Sequence, residues 1–269
     1  MKNIDISIIV VSNNHQSFLP RCLSSVYKNQ GNLGLEIFVV DNASKDTTSS
    51  YVKTKFPHVM LIQRTKKYGF AANNNVAIKQ ARGTYILLLN PDTEIQPHAL
   101  RKLFNTMEEN PTVGVCGPKL LFPDKTIQYS CRKFPTIMSF LVRRTPLRLL
   151  IKQNNVNDKH LLKHINHSKI QQVDWLLGAC LCIRKKVVDS VGLLDERFFL
   201  YGEDIDYCLR AWHAGWKVWY VPTAHIIHHH QAQSDKRLFS MYSWHHMQSV
   251  VRFALKHGIS LKRTVKVTK

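Results

Sequence analysis

Carboxylates stand at three points of this chain where an apolar stretch gives way to a turn: Asp41 after Glu36 to Val40, Asp92 after Tyr85 to Leu89, and Glu203, Asp204 and Asp206 just past Gly202. A carboxylate so placed can accept from a hydroxyl or a ring N–H, share a divalent cation with other oxygens, or take a proton as a general base. One imidazole among His225 and the His228-His-His230 run can complete the coordination of a metal held by Asp92. Each feature has a plainer alternative. Asn90-Pro91-Asp92 alone is equally an Asx-type turn, and a histidine run is equally a solvated cluster. Glu203 or Asp206 taken singly is a dipole partner in a first helical turn, but three acids in four positions beside a glycine exceed what helix stability requires.

The elements that must carry these groups follow from the apolar pattern. Tyr85 to Leu89 is unbroken and strand-forming, and Pro91 ends its ladder. Such a run is buried on both faces, as in a parallel sheet, whose ligands bind beyond the carboxyl ends of the strands. Strands are expected at Asp5 to Val11, Glu36 to Val40, Val59 to Gln63 and Tyr85 to Leu89. Between them helices are expected from Ser17 to Tyr27, from Asp46 to Lys55 with Ser44 or Asp46 as cap, and from Gly69 through Arg82. The alternation predicts a doubly wound, mostly parallel α/β sheet. Polar clusters then end successive strands: Ser12 to Asn14, Asp41-Asn42, and Asn90 to Asp92. Neither a Gly-x-Gly-x-x-Gly turn nor a Walker loop is present, which disfavours those two nucleotide classes. An Asp after the second strand can instead accept from a base or a ribose, while Asp92 holds a cation between diphosphate oxygens.

Downstream, a helix is expected from Pro97 to Asn110 and a strand from Val113 to Leu121. Residues 134–169 mix apolar and basic residues and read as a lid-like insertion lying on a membrane surface, or as a variable loop. Val173 to Ile183 reads as one strand, with Cys180 and Cys182 on one face and Gly178 allowing close approach. Lys217 to Val221 reads as a strand ended by Pro222. The last segment reads as a helix with an apolar stripe of Met247, Val250, Val251, Ala254 and Leu255 opposite His245, Arg252 and Lys256. This organisation predicts one domain over 1–235, with a nucleotide half at about 1–125, a basic insertion at about 132–170 and an acceptor half at about 171–235. A basic helical tail follows over 236–269.

At 269 residues the chain is long enough for one large α/β core. No apolar run is long enough to span a bilayer, and the N-terminal stretch reads as a first strand rather than a secretory signal. Six scattered cysteines without a Cys-x-x-Cys pair point to reduced thiols and a cytoplasmic location. The net charge of +20 is concentrated. Residues 132–169 carry nine Lys/Arg against one acid, and 236–269 carry eight against none. Two such surfaces attract anionic lipid or nucleic acid, or are simply solvated faces of a lysine-rich protein.

Taken in order, Ile8-Ile-Val-Val-Ser-Asn13, Val39-Val-Asp-Asn-Ala-Ser44, Gly69-Phe-Ala-Ala-Asn-Asn74, Leu89-Asn-Pro-Asp92, Trp175-Leu-Leu-Gly-Ala179, Phe198-Phe-Leu-Tyr-Gly-Glu-Asp-Ile-Asp206 and His228 resemble the inverting family 2 glycosyltransferases, in their rhamnosyltransferase-like branch. The resemblance spans roughly residues 4 to 235. It implies a GT-A fold, a Rossmann-like mostly parallel sheet with helices on both faces joined to a C-terminal acceptor-binding part. It also implies that Ser12, Asn13, Asp41, Gly69, Asn73, Asn90 and Asp92 line the nucleotide-sugar donor, with Asp41 reading the base. Asn90 and Asp92 would stand for the family's Asp-x-Asp, and Asp92 with His228 would hold Mg2+ or Mn2+. Asp204 would be the general base, with Trp175, Gly178 and Glu203 near the acceptor. Departures are visible: Asn90 replaces the first acid of Asp-x-Asp, Lys67 replaces an Asn, and His228-His-His-Gln231 stands where family members show His-His-Gly-Gly, so that His230 and Gln231 replace glycines.

The expected function is therefore transfer of a sugar, L-rhamnose from its dTDP donor, to a lipid-linked or polysaccharide acceptor for surface glycan. The enzyme would sit peripherally on the inner face of the cell membrane. The alternatives are a basic nucleic-acid- or membrane-binding protein, although no nucleic-acid motif is recognised, and a catalytically degenerate partner subunit.

Overall fold

The computed structural model describes residues 3–135, 158–229 and 241–258. Most of the expected membrane-facing insertion and both ends of the basic tail lie outside the described residues. Strands and helices are numbered in chain order. Strands β1 (Ile6–Ser12), β2 (Leu35–Asp41), β3 (Met60–Gln63) and β4 (Tyr85–Leu89) run parallel in the order β3-β2-β1-β4. Helices α1 (Leu19–Lys28), α2 (Thr48–Lys55) and α3 (Phe70–Ile78) make the crossovers. Beyond β4 the sheet continues through antiparallel β11 (Cys180–Arg184), then β6 (Val113–Leu121), β12 (Lys217–His228) and β5 (Thr93–Ile95). Short strands β7 (Ile127–Gln128) and β9 (Gln171–Gln172) pair with β6 and β12, while β8 (Cys131–Arg132) and β10 (Trp175–Leu176) form a separate ribbon. Helices α4 (Ala99–Glu109), α5 (Lys185–Val191), α6 (Glu203–His213) and α7 (Met241–His257) complete the described chain.

The unbroken apolar runs have the expected cause, because both faces of the sheet are covered. Ile6, Ile8 and Val10 of β1 pack with Leu23 of α1, Val52 of α2 and Leu100, Leu103 and Met107 of α4. On the other face Ile9 packs with Ala71 and Ala77 of α3, Val187 of α5, and Tyr207, Leu209 and Trp212 of α6. Fully burying a large apolar side chain is worth about 1.5–3 kcal/mol, so Leu100, Leu103 and Met107 alone contribute roughly 5–9 kcal/mol. That stabilises a helix whose length would be marginal in isolation. The fold is thus the mostly parallel α/β sheet with helices on both faces that the sequence predicts.

Three local expectations are corrected. Val173 to Ile183 is not one strand: β10 ends at Leu176, the Leu177 N–H turns to the Ser130 carbonyl (2.9 Å), and β11 starts at Cys180. Pro222 does not end its strand. β12 runs through it to His228, with a register shift between Val221 and His225 against β6, and a bulge is where a strand tolerates a residue with no N–H. Helix α2 has no side-chain bond from its cap residue Thr47; Asp46 Oδ1 accepts from the Thr48 N–H (3.1 Å), while Ser44 Oγ accepts instead from the Asn14 N–H (2.9 Å). In α7 the apolar stripe is not the face turned inward. Phe253 and Ser249 are buried, whereas Met247, Val251 and Leu255 are exposed.

Candidate active site

The Asn90-Pro91-Asp92 turn leads directly into β5, an element the sequence pattern does not disclose. β5 pairs antiparallel with the end of β12, Thr93 opposite His228, and the His229 N–H donates to the Asp92 carbonyl (2.8 Å). This register brings His228 Nε2 to 3.3 Å from Asp92 Oδ1. The continuation of β12 through Pro222 is what carries His228 there. His228 is only 3 % exposed, and its Nδ1 lies 2.7 Å from Gln128 Oε1 on β7. With the amide oxygen as acceptor, Nδ1 carries the proton and the Nε2 lone pair faces Asp92. Nothing in the sequence around Gln128 marks it for this role; only the β6–β7 pairing does. When Nε2 is protonated as well, its hydrogen bond and charge outweigh the burial that works to raise the Asp92 pKa and hold that carboxyl below its ordinary value; loss of that proton leaves the Nε2 lone pair for a cation.

This donor set fits a divalent cation bound by few protein ligands. A hard cation in a phosphate site takes one or two carboxylates and fills its remaining positions with phosphate oxygens and water, and an imidazole nitrogen suits Mn2+. Among the described residues no group of three or more His, Cys, Asp and Glu is arranged to hold a metal. Asp92 and His228 would therefore be two ligands, with a bound diphosphate supplying others. The neighbouring imidazole, His229, is committed elsewhere, 2.5 Å from Glu94 Oε1.

Asp204 lies in the first turn of α6, behind Gly202 in the left-handed region at φ 93°. The Gly178 N–H donates to Asp204 Oδ2 (3.0 Å) and the Ile205 N–H to Oδ1 (2.8 Å). Gly178 immediately precedes Ala179, whose carbonyl accepts from the Asn90 N–H (2.9 Å), so the base candidate and the metal turn are tied to one stretch between β10 and β11. Burial pushes the Asp204 carboxyl up; the Gly178 and Ile205 N–H groups and the positive charge of Arg132 counteract it only in part. A carboxylate moved toward neutral pH is a better base at working pH than an ordinary aspartate. The expected close approach at Gly178 is not required: a Cβ there would sit 3.5 Å from Asp204, ordinary contact, so the glycine's contribution is its N–H. Glu203 is buried with Oε2 lacking a partner, and burial followed by the charges of Asp204 and Asp206 pushes its carboxyl well up. A helix N-terminus offers a carboxylate about 0.3–1 kcal/mol, too little to offset its desolvation, so this position favours the neutral acid. Trp175 is half-buried on β10, its Nε1 donating to the Lys133 carbonyl (2.9 Å).

The remaining candidates gather at the ends of β1 and β2, where Ser12 pairs with Asp41 in register. Asp41 is buried; its carboxylate accepts from the Ser44 N–H (3.1 Å) and from Ser49 Oγ. Asn13 donates to the Asn42 carbonyl (2.8 Å), and Asn42 in turn bridges to both the N–H and the carbonyl of Tyr68, at 2.8 and 2.9 Å. Ser12 Oγ and Asn73 Oδ1 are buried without hydrogen-bond partners, while Asn73 Nδ2 holds the Tyr68 and Gly69 carbonyls. Gly69 is sterically obligatory: a Cβ there would lie 2.7 Å from the Phe199 carbonyl oxygen, which also accepts from the Phe70 N–H (2.8 Å). The Gly69 loop thus rests on the segment leading to Asp204.

The family model for glycosyl transferase family 2 matches residues 7–173, more than half the chain. The chain belongs to glycosyl transferase family 2. Among curated family members it is 30% identical over 270 residues to the rhamnosyltransferase WbbL of Escherichia coli K12, covering 95% of each. It is 27% identical over 235 residues to the N-acetylglucosaminyl-diphospho-decaprenol L-rhamnosyltransferase of Mycobacterium tuberculosis, covering 83% of this chain and 76% of that protein. Two solved structures share the fold at lower identity. GalNAc-T7 with UDP, GalNAc and Mn2+ superposes with a TM-score of 0.69 at 17% identity, covering 94% of this chain and 48% of that one. The Pyrobaculum calidifontis mannosyltransferase PcManGT with GDP-Man and Mn2+ gives 0.60 at 19%, covering 95% and 64%. These are GT-A glycosyltransferases, so the expected fold class holds.

Proposed function

We propose that this family 2 glycosyltransferase is an inverting rhamnosyltransferase. It would transfer L-rhamnose from dTDP-rhamnose to a lipid-linked acceptor in cell-surface glycan biosynthesis, at an anionic membrane face. The observation that carries the catalytic part is the pairing of Asp92 with His228 at 3.3 Å at the same end of the sheet as Gly178, which holds Asp204. The names of the two curated relatives support the sugar and, for one of them, a polyprenyl diphosphate acceptor.

In this reading Ser12, Asn13, Asp41, Gly69, Asn73 and Asn90 surround the donor nucleotide, and Asp92 with His228 stand at its diphosphate. A divalent cation bound there offsets charge that builds on the leaving diphosphate. Asp204 accepts the proton of the acceptor hydroxyl as that oxygen bonds to the anomeric carbon from the face opposite the diphosphate. The bond from the anomeric carbon to the diphosphate oxygen breaks, its electron pair leaves with the nucleotide, and the anomeric configuration inverts. Gly178 and Ile205 orient the base, and Trp175 offers an indole on which an acceptor sugar ring can stack. Neutral Glu203 can donate a hydrogen bond but cannot compete for the proton.

A thermal-shift screen of nucleotide sugars with and without Mn2+ tests this assignment, because a selective donor stabilises the native state by mass action. The expected result is a manganese-dependent upward shift that is largest for dTDP-rhamnose. A larger shift with a UDP- or GDP-sugar would overturn the donor, and no metal-dependent shift with any donor would overturn the site.

A further inference from the structure

Helix α7 presents two unlike faces. Lys256 Nζ lies 2.7 Å from Asp195 Oδ2 and 2.6 Å from Asp206 Oδ1, and His257 Nε2 lies 2.6 Å from the same Asp206 oxygen. Ser249 Oγ donates to the Leu200 carbonyl (3.0 Å), Arg252 donates to the Arg197 carbonyl, and His245 stacks on Phe199 with ring centroids 4.6 Å apart. This face therefore grips residues 195–206, the segment that carries Asp204.

The other face is apolar and bare. Trp244, Met247, Val251 and Leu255 are 63, 42, 50 and 83 % exposed. At about 100° per residue these four fall within roughly 80° of one another around the helix, a single narrow stripe. Four large apolar side chains so aligned mark an interaction surface. The sequence that carries the helix selects the occupant. No Asp or Glu occurs from residue 236 to the end of the chain, and eight Lys/Arg do. Two copies joined through this segment would pair two stretches of like charge in sequence, whereas an anionic bilayer attracts a basic segment at about 1 kcal/mol per basic residue near its surface. An indole beside Met, Val and Leu also matches the boundary between headgroups and acyl chains.

We infer that α7 seats the enzyme on an anionic lipid surface through Trp244, Met247, Val251 and Leu255, and that its opposite face fixes the Asp204 segment relative to that surface. An acceptor carried on a lipid would then reach the base in a set orientation. The inference rests on the lipid-linked acceptor proposed above, but its test reads membrane seating and donor binding separately.

The full chain is pelleted with vesicles of phosphatidylcholine alone and of phosphatidylcholine with phosphatidylglycerol, at low and high salt. The variant is the double substitution Trp244→Ser, Leu255→Ser, chosen because both side chains are exposed. Binding to the phosphatidylglycerol vesicles is expected, weakened by salt, and about tenfold or more weaker in the variant. The variant should keep the wild-type melting temperature and the wild-type shift with dTDP. The inference is overturned if the wild-type chain stays in the supernatant, if it binds phosphatidylcholine alone equally well, or if the variant binds as tightly as wild type. It is also overturned if the stripe instead drives self-association without vesicle binding, which sedimentation velocity would show. Loss of vesicle binding with an intact donor shift condemns only the seating face. Vesicle binding without any donor shift condemns the transferase site and leaves the face standing.

Discussion

Replacing Asp204 by Asn puts the proposed mechanism under its most direct strain. The substitution is nearly isosteric, but an amide offers one acceptor oxygen where the carboxylate offers two. The Gly178 and Ile205 N–H groups now donate to separate oxygens of Asp204 at 3.0 and 2.8 Å, so one of them would face an NH2 group. Leaving one such donor unmet costs about 1–3 kcal/mol. A second effect has the opposite sign. The raised Asp204 pKa means the folded chain holds this proton more tightly than the unfolded chain, so stability falls as pH rises from the ordinary aspartate value through the folded one. Asn removes that loss, and the melting temperature at neutral pH should move little. Catalysis should not be spared: without a proton acceptor the rate of transfer should drop by about 10²–10⁴, the usual contribution of a general base, or about 3–5.5 kcal/mol of barrier. The assay is release of nucleoside diphosphate in the presence of acceptor, over a pH series, with donor binding followed separately. In the wild type, activity should decline as pH falls through a value above that of an ordinary aspartate, and the decline should be absent from the residual activity of the variant. Turnover within a few-fold of wild type, or an unchanged acidic limb, would refute Asp204 as the base.

Three further outcomes follow from other contacts. Gln128→Leu should remove the partner of His228 Nδ1 and weaken Mn2+ binding by about 10- to 100-fold with little change in fold, read by calorimetric metal titration. Asp206→Asn should be costly to stability, since Asp206 is fully buried and accepts from Arg210 Nε (2.7 Å), Lys256 Nζ (2.6 Å) and His257 Nε2 (2.6 Å). Breaking such a network costs about 3–5 kcal/mol, or on the order of 10 °C in melting temperature for a domain of this size. Burial opposes ionisation of Asp206, but its three partners hold the carboxyl below its ordinary value. Its stabilisation is therefore present above the ordinary carboxylate pKa and lost as pH falls through the folded value, so the variant should show a flatter acid limb in pH-dependent melting. Gly69→Ala should lower melting temperature and donor binding because its methyl meets the Phe199 backbone, while Gly178→Ala, with only ordinary contact to Asp204, should leave the melting temperature close to wild type.

The parallel half of the fold was legible because its strands announce themselves twice, by unbroken apolar runs and by polar turns at their ends. Ile6 to Val10 and Tyr85 to Leu89 are buried on both faces, and no other local structure accommodates such runs between helices. What stayed hidden depends on pairing partners far away in sequence. Thr93–Ile95 is too short to show a period and is a strand only because β12 lies beside it. Pro222 misled for the opposite reason: a proline ends a regular ladder, but here a bulge absorbs it and the strand continues to His228. Gln128 could not be found at all, since a glutamine beside a turn carries no local mark of the imidazole it holds. For α7 the pattern itself was visible but its orientation was not. The contacts of Lys256 and His257 with buried Asp206 decide which face turns inward, and the apolar stripe is left outside.

The same distinction bears on how the site is built. The Asn90–Asp92 turn and the turn carrying Asp204 lie on elements joined largely through backbone groups: the Asn90 N–H to the Ala179 carbonyl and the Phe70 N–H to the Phe199 carbonyl, with the Gly178 N–H reaching the Asp204 carboxylate. Backbone hydrogen bonds of this kind fix relative position without constraining side-chain identity, so residues such as Lys67 and Asn90 can depart from the family pattern while the frame stays in place. In the proposed reading the departure at Asn90 would change charge at a bound cation rather than geometry, because the Asn90 N–H and carbonyl make their bonds to Ala179 and Thr93. Asn90→Asp should accordingly tighten Mn2+ binding while leaving the melting temperature of the metal-free protein close to wild type. A large loss of stability without metal would show instead that the asparagine side chain is part of the frame.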